Sequence, residues 1–250
     1  MNSANAFAHL RHSSSTHTGR RRMKNEDSLL CMSEHGIFVV ADGMGGAGGG
    51  DVASKATVDY LRDAFANTSE LGLNEKISKF RVASDDASRW IKQRADRDHV
   101  RGMGSTVVGL VFDHLDPRRA VILHAGDSRV YMLRDQQLSK LMVDHSPAAE
   151  AGIDDESEVP FFMQGIITRA VGVRSTVKLE LTYIDVEAGD YFLVCSDGLY
   201  NMLGDDEIVA CLTSSDDGKS VVQKLVDDAN QAGGLDNISV VLVENRPEDL

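Results

Sequence analysis

Apolar residues in one part of the chain recur at the spacing of an amphipathic helix. Between residues 51 and 65, and again between 74 and 98, they return every three or four positions and so share one helix face. Asp51 is a candidate N-cap of the first helix, because its carboxylate can accept free backbone N–H groups of the first turn. The pattern predicts two consecutive helices, each packing one face against a core.

From Gly102 onward the apolar positions alternate with polar ones, which is the period of β-strands. Four short strands joined by turns are predicted to form an antiparallel meander at 105–113, 120–125, 129–133 and 137–141. Further strands are predicted at 28–32, 37–41, 177–184, 191–195 and 238–243, and further helices at 206–212 and 218–232. Helices therefore precede and follow a strand-rich centre.

This arrangement predicts an α+β fold, specifically a four-layer α-β-β-α sandwich of two antiparallel sheets flanked by helix pairs. No repeat or linker interrupts it, so residues 1–250 are expected to form one domain. Residues 1–6 are irregular, and 7–15 fit an edge strand or a disordered start equally well. Residues 144–166, here called the flap segment, are acidic and without clear period, and we expect a mobile flap-like insertion.

Composition narrows the classes of function. Hydrophobic residues make up 42% of the chain, enough for a core, and 39 acidic residues against 26 basic ones give a net charge of −13. This balance argues against nucleic acid or an anionic membrane as the partner, since both require a basic face. No run of about eighteen apolar residues predicts a membrane span, and we expect no signal peptide. Three widely spaced cysteines, Cys31, Cys195 and Cys211, predict free thiols in a reducing cytoplasm.

Asp42 ends the apolar run at 37–41 and is followed by a concentration of glycine at Gly43, Gly45, Gly46, Gly48, Gly49 and Gly50. Backbone without side chains can approach a phosphate or a metal ion closely. Glycine clusters also mark ordinary flexible surface loops. The loop by itself therefore leaves both interpretations open.

Aspartates recur at the ends of predicted strands, at Asp42, Asp127, Asp197 and Asp236. Any one of them could simply cap a turn. Four together indicate a cluster at one rim of the sandwich, where unpaired carboxylates repel one another unless cations lie between them. An all-oxygen site suits Mg²⁺ or Mn²⁺, and two such ions can activate a bridging water to hydrolyse a phosphoester.

A basic cluster leads directly into two carboxylates before the strand at 28–32. Residues 19–27 read Gly-Arg-Arg-Arg-Met-Lys-Asn-Glu-Asp. The segment fits either a charged loop or an anion-binding arginine beside acidic residues of a metal site.

Eight short motifs follow one another along the chain: Arg22-x-x-Asn25-Glu26-Asp27, Ala41-Asp42-Gly43-Met44-Gly45-Gly46, Met103-Gly104-Ser105-Thr106, Gly126-Asp127-Ser128-Arg129, Asp144-His145-Ser146, Thr168-Arg169-Ala170-x-Gly172, Cys195-Ser196-Asp197-Gly198-Leu199 and Asp236-Asn237-Ile238-Ser239. In this order they resemble the metal-dependent (PPM, type 2C) serine/threonine protein phosphatases of bacteria. The resemblance extends from about Gly19 to Val243. Each motif is weak alone, but together they are highly specific.

The resemblance implies a two-metal centre of Mn²⁺ or Mg²⁺. Asp42 would bridge both ions, and the Gly43 carbonyl would help to hold one of them. Asp197 and Asp236 would complete the shell of the first ion.

The resemblance also implies supporting roles around this centre. Asp27, with Glu26, would support the second ion directly or through water, and Asn237 would support the ligands. Asp127, with Asp197, would help to bind a weaker third ion near the flap segment.

Arg22 and Asp42 would be the catalytic residues, with Arg22 gripping the substrate phosphate through bidentate hydrogen bonds. The nucleophile would be a metal-bridged water, so no protein nucleophile is needed. Some relatives have a histidine after Asp-Gly, but this chain has Met44, which removes a histidine general acid. The implied partners are phosphorylated proteins and a cognate serine/threonine kinase. We expect a monomer that binds neither nucleic acid nor membrane.

Four alternatives compete with this hypothesis. An aspartyl-phosphate phosphatase needs Asp-x-Asp after an apolar strand, but Asp96-Arg97-Asp98 lies on a polar helix end. Gly43-x-Gly45-x-x-Gly48 fits a dinucleotide-binding fingerprint, but a second helix follows where a parallel strand is required. Cysteine phosphatases need an arginine at a fixed distance after the nucleophile, where this chain has Ile37, Asn201 and Asp217. An inactive relative that only binds phosphoproteins would show no Mn²⁺-dependent hydrolysis.

Overall fold

The computed structural model describes residues 6–45, 48–68, 70–153, 159–163 and 165–246. Most of the predicted irregular N-terminus, Gly46 of the glycine loop and residues 154–158 of the flap segment lie outside this range. The strands are β1 Leu10–His17, β2 Asp27–Met32, β3 Ile37–Met44, β4 Gly104–Ser105, β5 Val107–Phe112, β6 Arg119–Ala125, β7 Arg129–Arg134, β8 Gln137–Lys140, β9 Glu180–Asp185, β10 Tyr191–Cys195 and β11 Ile238–Asn245. The helices are α1 Gly50–Phe65, α2 Leu73–Asp98, α3 Pro147–Glu150, α4 Asp197–Tyr200, α5 Asp205–Leu212 and α6 Gly218–Gln231.

The strands form two antiparallel sheets. One sheet has the order β1-β11-β10-β7-β8, and the other has the order β2-β3-β5-β6-β9 with β4 beside β3. Helices α1 and α2 pack on the second sheet, while α4, α5 and α6 pack on the first. The predicted fold class, two antiparallel sheets with flanking helices, is confirmed.

Strand β3 shows why the central strands are apolar on both faces. Ile37, Val39 and Ala41 pack beneath the α1–α2 pair, whereas Phe38 and Val40 point into the layer between the sheets. Because successive side chains point to opposite faces, a strand buried on both sides is continuously apolar. The inter-sheet layer is held by edge-on contacts of the Phe112 ring with the rings of Phe38 and Phe192.

The predicted four-stranded meander is wrong. Strands β5 and β6 pair in one sheet, but β7 and β8 belong to the other. The chain changes sheets at Gly126, whose φ of 119° lies in the region that favours glycine. A Cβ at this position would lie 2.7 Å from the Thr106 side chain. The period of two predicted the strands correctly, but it carries no information about partners.

The predicted N-cap of α1 is also wrong. Gly49 occupies the N-cap position, and Asp51 lies inside the first turn. Its carboxylate instead forms an ion pair with Lys24, with 2.6 Å between Lys24 Nζ and Asp51 Oδ2. A carboxylate in the first turn still interacts favourably with the helix dipole.

The N-terminal segment is an edge strand, although it begins later than predicted. Strand β1 pairs with β11 from Leu10 to His17. All three cysteines are free thiols. Among the described residues, no helix has the length and apolar character that a bilayer crossing needs.

Candidate metal centre

Asp27 and Asp42 face each other across two neighbouring strands. They are direct partners in the register of β2 and β3, so their side chains leave the sheet on the same face. Like charges in such a pair destabilise a sheet. A site with this arrangement needs either a proton or a cation between the carboxylates.

Three further aspartates belong to the same electrostatic cluster. Asp127 follows β6, Asp197 begins α4 directly after β10, and Asp236 precedes β11. Repulsion by the carboxylates of Asp27, Asp197, Asp127 and Asp236 destabilises the ionised form of Asp42. The structure therefore brings together all five aspartates that the sequence singled out.

Burial and mutual repulsion shift the pKa values of these carboxyls upward. Burial is the larger cause in each case, and it raises the pKa to about 7 for Asp27 and Asp127 and to about 6 for Asp197. The pKa of Asp42 is raised well above its ordinary value for the same reasons. Near neutral pH the cluster therefore cannot carry all its negative charges without compensation.

The donor set fits a hard divalent cation. Among the described residues, Asp27 Oδ1 and Asp197 Oδ1 are buried and have no hydrogen-bond partner. Buried carboxylate oxygens without partners are costly in an apolar setting. Oxygen ligands of this kind suit Mg²⁺ or Mn²⁺.

Hydroxyl groups position two of these aspartates. Ser196 Oγ donates to Asp27 Oδ2 at 2.9 Å and accepts the Ser239 backbone N–H at 3.0 Å. Thr106 Oγ1 accepts the Asp42 N–H at 2.9 Å, and the Thr106 N–H donates to the Asp42 carbonyl at 2.8 Å. In the sequence, Ser196 and Thr106 stand out only as members of the motifs around Asp197 and Ser105, and those motifs are the signal that could have revealed these roles.

Gly43 requires the absence of a side chain. A Cβ there would lie 2.1 Å from the Gly50 carbonyl oxygen and 2.4 Å from the Glu26 carbonyl oxygen. The Gly43 N–H donates to the same Glu26 carbonyl at 3.1 Å. The glycine thus lets three backbone segments meet beside Asp42.

Asn237 fastens the basic segment to the start of β11. Its Oδ1 accepts the Glu26 N–H at 2.8 Å, and its Nδ2 donates to the carbonyls of Thr18 and Lys24 at 2.8 and 2.9 Å. These bonds fix both ends of the segment that carries Arg22. Arg22 Nη2 lies 2.5 Å from Asp236 Oδ2 at the rim of the cluster, and its side chain is 52% exposed.

The sequence did not predict that Tyr200 contacts the aspartate cluster. Its hydroxyl donates to the Asp127 carbonyl at 3.0 Å. The guanidinium of Arg129 lies over the Tyr200 ring, 3.5 Å from its centroid, and is paired with Asp144 at 2.6 Å. An aromatic residue after Asp197-Gly198-Leu199 offers no local signal for this contact.

His124, His145 and Glu180 form a second cluster of metal-ligand types. The two imidazoles are stacked, with centroids 4.4 Å apart and planes 8° apart, so their nitrogen lone pairs lie in two separate, nearly parallel planes and do not converge on one ion. His145 Nδ1 also accepts the Gly126 N–H at 3.1 Å, and its Nε2 lies 2.9 Å from Arg169 Nη1 and 3.1 Å from Glu180 Oε2. We interpret the cluster as a hydrogen-bonded network.

Comparisons with known proteins find one family. Residues 16–233 match the family model described as protein phosphatase 2C. The serine/threonine phosphatase stp of Listeria monocytogenes is 34% identical over 238 residues, which is 92% of this chain and 93% of the relative.

Two solved structures show the same fold. PppA, described as a key regulatory component of T6SS in Pseudomonas aeruginosa, is 35% identical, with a TM-score of 0.84 over 94% of this chain and 97% of that chain. The catalytic domain of the serine/threonine protein phosphatase PstP, solved with two manganese ions, is 29% identical, with a TM-score of 0.81 over 94% of this chain and 97% of that chain.

The two-sheet fold and these similarities define the class of the protein as a metal-dependent phosphatase that acts on phosphoserine and phosphothreonine. The chain belongs to the protein phosphatase 2C family. Its substrates are phosphorylated proteins. The dinucleotide-binding alternative is wrong, because α2 follows α1 directly and the sheets are antiparallel.

Proposed function

We propose that the aspartate cluster holds two Mn²⁺ or Mg²⁺ ions, with a weaker third. Asp42 would hold both ions, and Asp197, Asp236 and the Gly43 carbonyl would be further ligands of one of them. Asp27 contributes to the other, supported by Glu26. The observation that carries this proposal is the cross-strand Asp27–Asp42 pair, in which Asp27 Oδ1 is buried without a partner.

The third ion is proposed to bind between Asp127 and Asp197, at lower affinity. The upward pKa shift of Asp127 has the charge of Asp197 as its first electrostatic cause, which supports their proximity. Asn237 supports the site by holding the segment that contains Glu26.

Arg22 binds the phosphate of the substrate in this proposal. Its guanidinium is half exposed beside Asp236, and its planar geometry suits two parallel hydrogen bonds to phosphate oxygens. When bound, the cations would activate water and absorb the negative charge that develops on the phosphoryl group. Met44 offers no proton, so the leaving group must take its proton from water.

We further propose that the enzyme is a monomeric, single-domain protein of the cytoplasm that opposes one or more serine/threonine kinases. The net charge of −13 supports the absence of nucleic-acid and membrane partners.

Asp42→Asn tests the metal centre. The substitution removes the bridging charge, so we expect Mn²⁺-dependent turnover of a phosphothreonine peptide and of p-nitrophenyl phosphate to be abolished. The amount of Mn²⁺ bound, measured by calorimetry, should also fall. Far-ultraviolet circular dichroism should remain unchanged, because the amide keeps the size of the side chain.

Asp59→Asn is the matched control. Asp59 lies on α1, where it pairs with Lys55 on the surface, so activity and Mn²⁺ binding should be unchanged. Full activity of the parent enzyme in excess chelator would contradict the proposal. An intact Mn²⁺ site without any hydrolysis would instead support an inactive phosphoprotein-binding relative.

A further inference from the structure

A groove of about 460 Å³ adjoins the aspartate cluster. Asp127, Asp197 and Asp236 line it together with residues of the flap segment. The groove is therefore continuous with the place where the phosphate is proposed to bind. Its volume falls in the range of small-ligand clefts, enough for a short stretch of peptide.

The polar floor of this groove is already paired. Asp144 accepts Arg129 Nη2 at 2.6 Å and Arg129 Nε at 3.0 Å. Lys140 Nζ lies 3.8 Å from the same carboxylate. The charge of Asp144 is therefore compensated within the protein, so this carboxylate does not select a basic side chain of a ligand.

A set of apolar residues forms part of the walls of the groove. They include Val143, Ile153, Met163, Ile166, Met202 and Leu235. Val143, Ile166 and Leu235 expose 57%, 46% and 55% of their surface. They line the same groove as the aspartates of the cluster. Clustered exposed apolar residues of this kind mark binding surfaces. Methionines adapt their shape to different apolar partners.

We propose that this groove binds a bulky apolar side chain of the phosphoprotein, within a few residues of the phosphorylated serine or threonine. The inference rests on the proposed function, since the phosphate at the cation site sets the position of the peptide. Three observations favour this occupant: the shared lining with the aspartate cluster, the paired floor and the apolar part of the walls. The groove would then determine substrate sequence preference.

The first experiment uses phosphothreonine peptides that differ at one position. Leu, Ser, Glu or Lys is placed in turn at each of the positions flanking the phosphothreonine, and kcat/KM is measured with Mn²⁺. We expect Leu at the best position to raise kcat/KM about tenfold over Ser, which corresponds to partial burial of one leucine side chain. Glu and Lys should not exceed Ser at that position.

Variants of the groove test the assignment. Ile153→Ser combined with Met163→Ser should reduce the ratio between Leu and Ser peptides to about two or less, because the apolar contact is lost. Ile166→Ser alone should reduce it partly, and its half-exposed position makes misfolding a minor concern. Turnover of p-nitrophenyl phosphate should stay within about twofold of the parent, since that substrate lacks flanking residues.

Val82→Ser is the matched control. Val82 is 61% exposed on α2 and does not line the groove, so the peptide preference should remain. Equal turnover of all peptides by the parent enzyme would overturn the groove assignment and leave the proposed function standing. A preference for Leu that persists in the groove variants would also overturn it. If the parent enzyme turned over none of the peptides and no p-nitrophenyl phosphate, the result would instead contradict the proposed function.

Discussion

Arg22 illustrates how one residue at the rim can serve two partners. Its guanidinium pairs with Asp236. Burial lowers the pKa of Arg22, but the hydrogen bond to Asp236 and the charges of the nearby aspartates raise it overall. The guanidinium therefore stays positive at every working pH. A cation that neutralises the aspartates would weaken their attraction and leave Arg22 available for phosphate.

We predict that Arg22→Ala raises KM for a phosphothreonine peptide about tenfold, because a charge-assisted hydrogen-bonded pair to phosphate is lost. The value of kcat should change less, since Arg22 is proposed to bind the ground state and the transition state alike. Steady-state kinetics with saturating Mn²⁺ measure both parameters.

Arg62→Ala provides the control for this substitution. Arg62 pairs with Asp59 on the exposed side of α1, so its removal should leave KM unchanged. A fall in kcat at constant KM in Arg22→Ala would show that Arg22 acts only in the transition state, contrary to the prediction.

For individual residues, the sequence predicted the charged side chains of the site but not the hydroxyl groups that position them. Asp42 was singled out because it ends an apolar run before glycine. Thr106 was not, because its two hydrogen bonds to the Asp42 backbone join residues 64 positions apart. A hydroxyl has no recognisable pattern until the fold supplies its partner.

Among the elements, β7 is tied to the flap segment by a buried ion pair. Arg129 lies in β7 and Asp144 begins the flap segment, and their side chains are 9% and 10% exposed. Arg129 also donates to the Tyr131 hydroxyl at 2.9 Å. The tie holds one wall of the groove against the sheet that carries Asp197.

We predict that Arg129→Met destabilises the protein by about 3–5 kcal/mol, because Asp144 is left as a buried charge without this partner. Urea unfolding followed by circular dichroism measures the loss. Combining Arg129→Met with Asp144→Leu should recover most of it, since the uncompensated charge is then removed.

Lys224→Met is the surface comparison. Lys224 pairs with Asp228 on the exposed face of α6, and its loss should cost less than about 1 kcal/mol. Equal destabilisation by Lys224→Met and Arg129→Met would contradict the argument from burial.

The elements themselves were largely predictable, while their connections were not. The prediction for α2 began at 74 and that for β10 at 191, against observed starts at Leu73 and Tyr191. The meander failed at Gly126, where the chain leaves one sheet for the other. Hydrophobic period reports how a segment is buried, whereas pairing depends on contacts across the core.

For the whole molecule, the raised pKa values of the aspartates couple stability to pH. Carboxyls with an ordinary pKa of 3.8 have lost their protons in the unfolded chain by pH 6.5, whereas Asp27 and Asp127 in the fold release theirs near pH 7. The folded state thus binds more protons in this window, and its stability must fall as pH rises.

We predict that the melting temperature of chelator-treated protein falls between pH 6.5 and 8. Histidines with lowered pKa, such as His124 at about 4, act in the opposite direction near pH 6.5, because an ordinary histidine is still half protonated in the unfolded chain there. They reduce the net fall at the lower end of the window and contribute little above about pH 7.5. Mn²⁺ should raise the melting temperature more at pH 8 than at pH 6.5, because it replaces the lost protons. Differential scanning fluorimetry measures both trends.

Asp42→Asn should flatten the pH dependence and the response to Mn²⁺, since it removes one of the interacting charges. A melting temperature that rises steadily from pH 6.5 to 8 without metal would contradict the predicted coupling. The sign of the slope therefore distinguishes a strained carboxylate cluster from a set of ordinary surface aspartates.

The sequence by itself determined the alternation of helix and strand, the acidic character and the four aspartates at strand ends, because these properties are local. It also carried the motif order that indicates the protein phosphatase 2C family. Only the tertiary structure decided that Asp27 faces Asp42, that Tyr200 contacts the Asp127 carbonyl and that apolar residues of the flap segment line a groove beside the cluster. Each depends on distances between residues far apart along the chain, which no local pattern encodes.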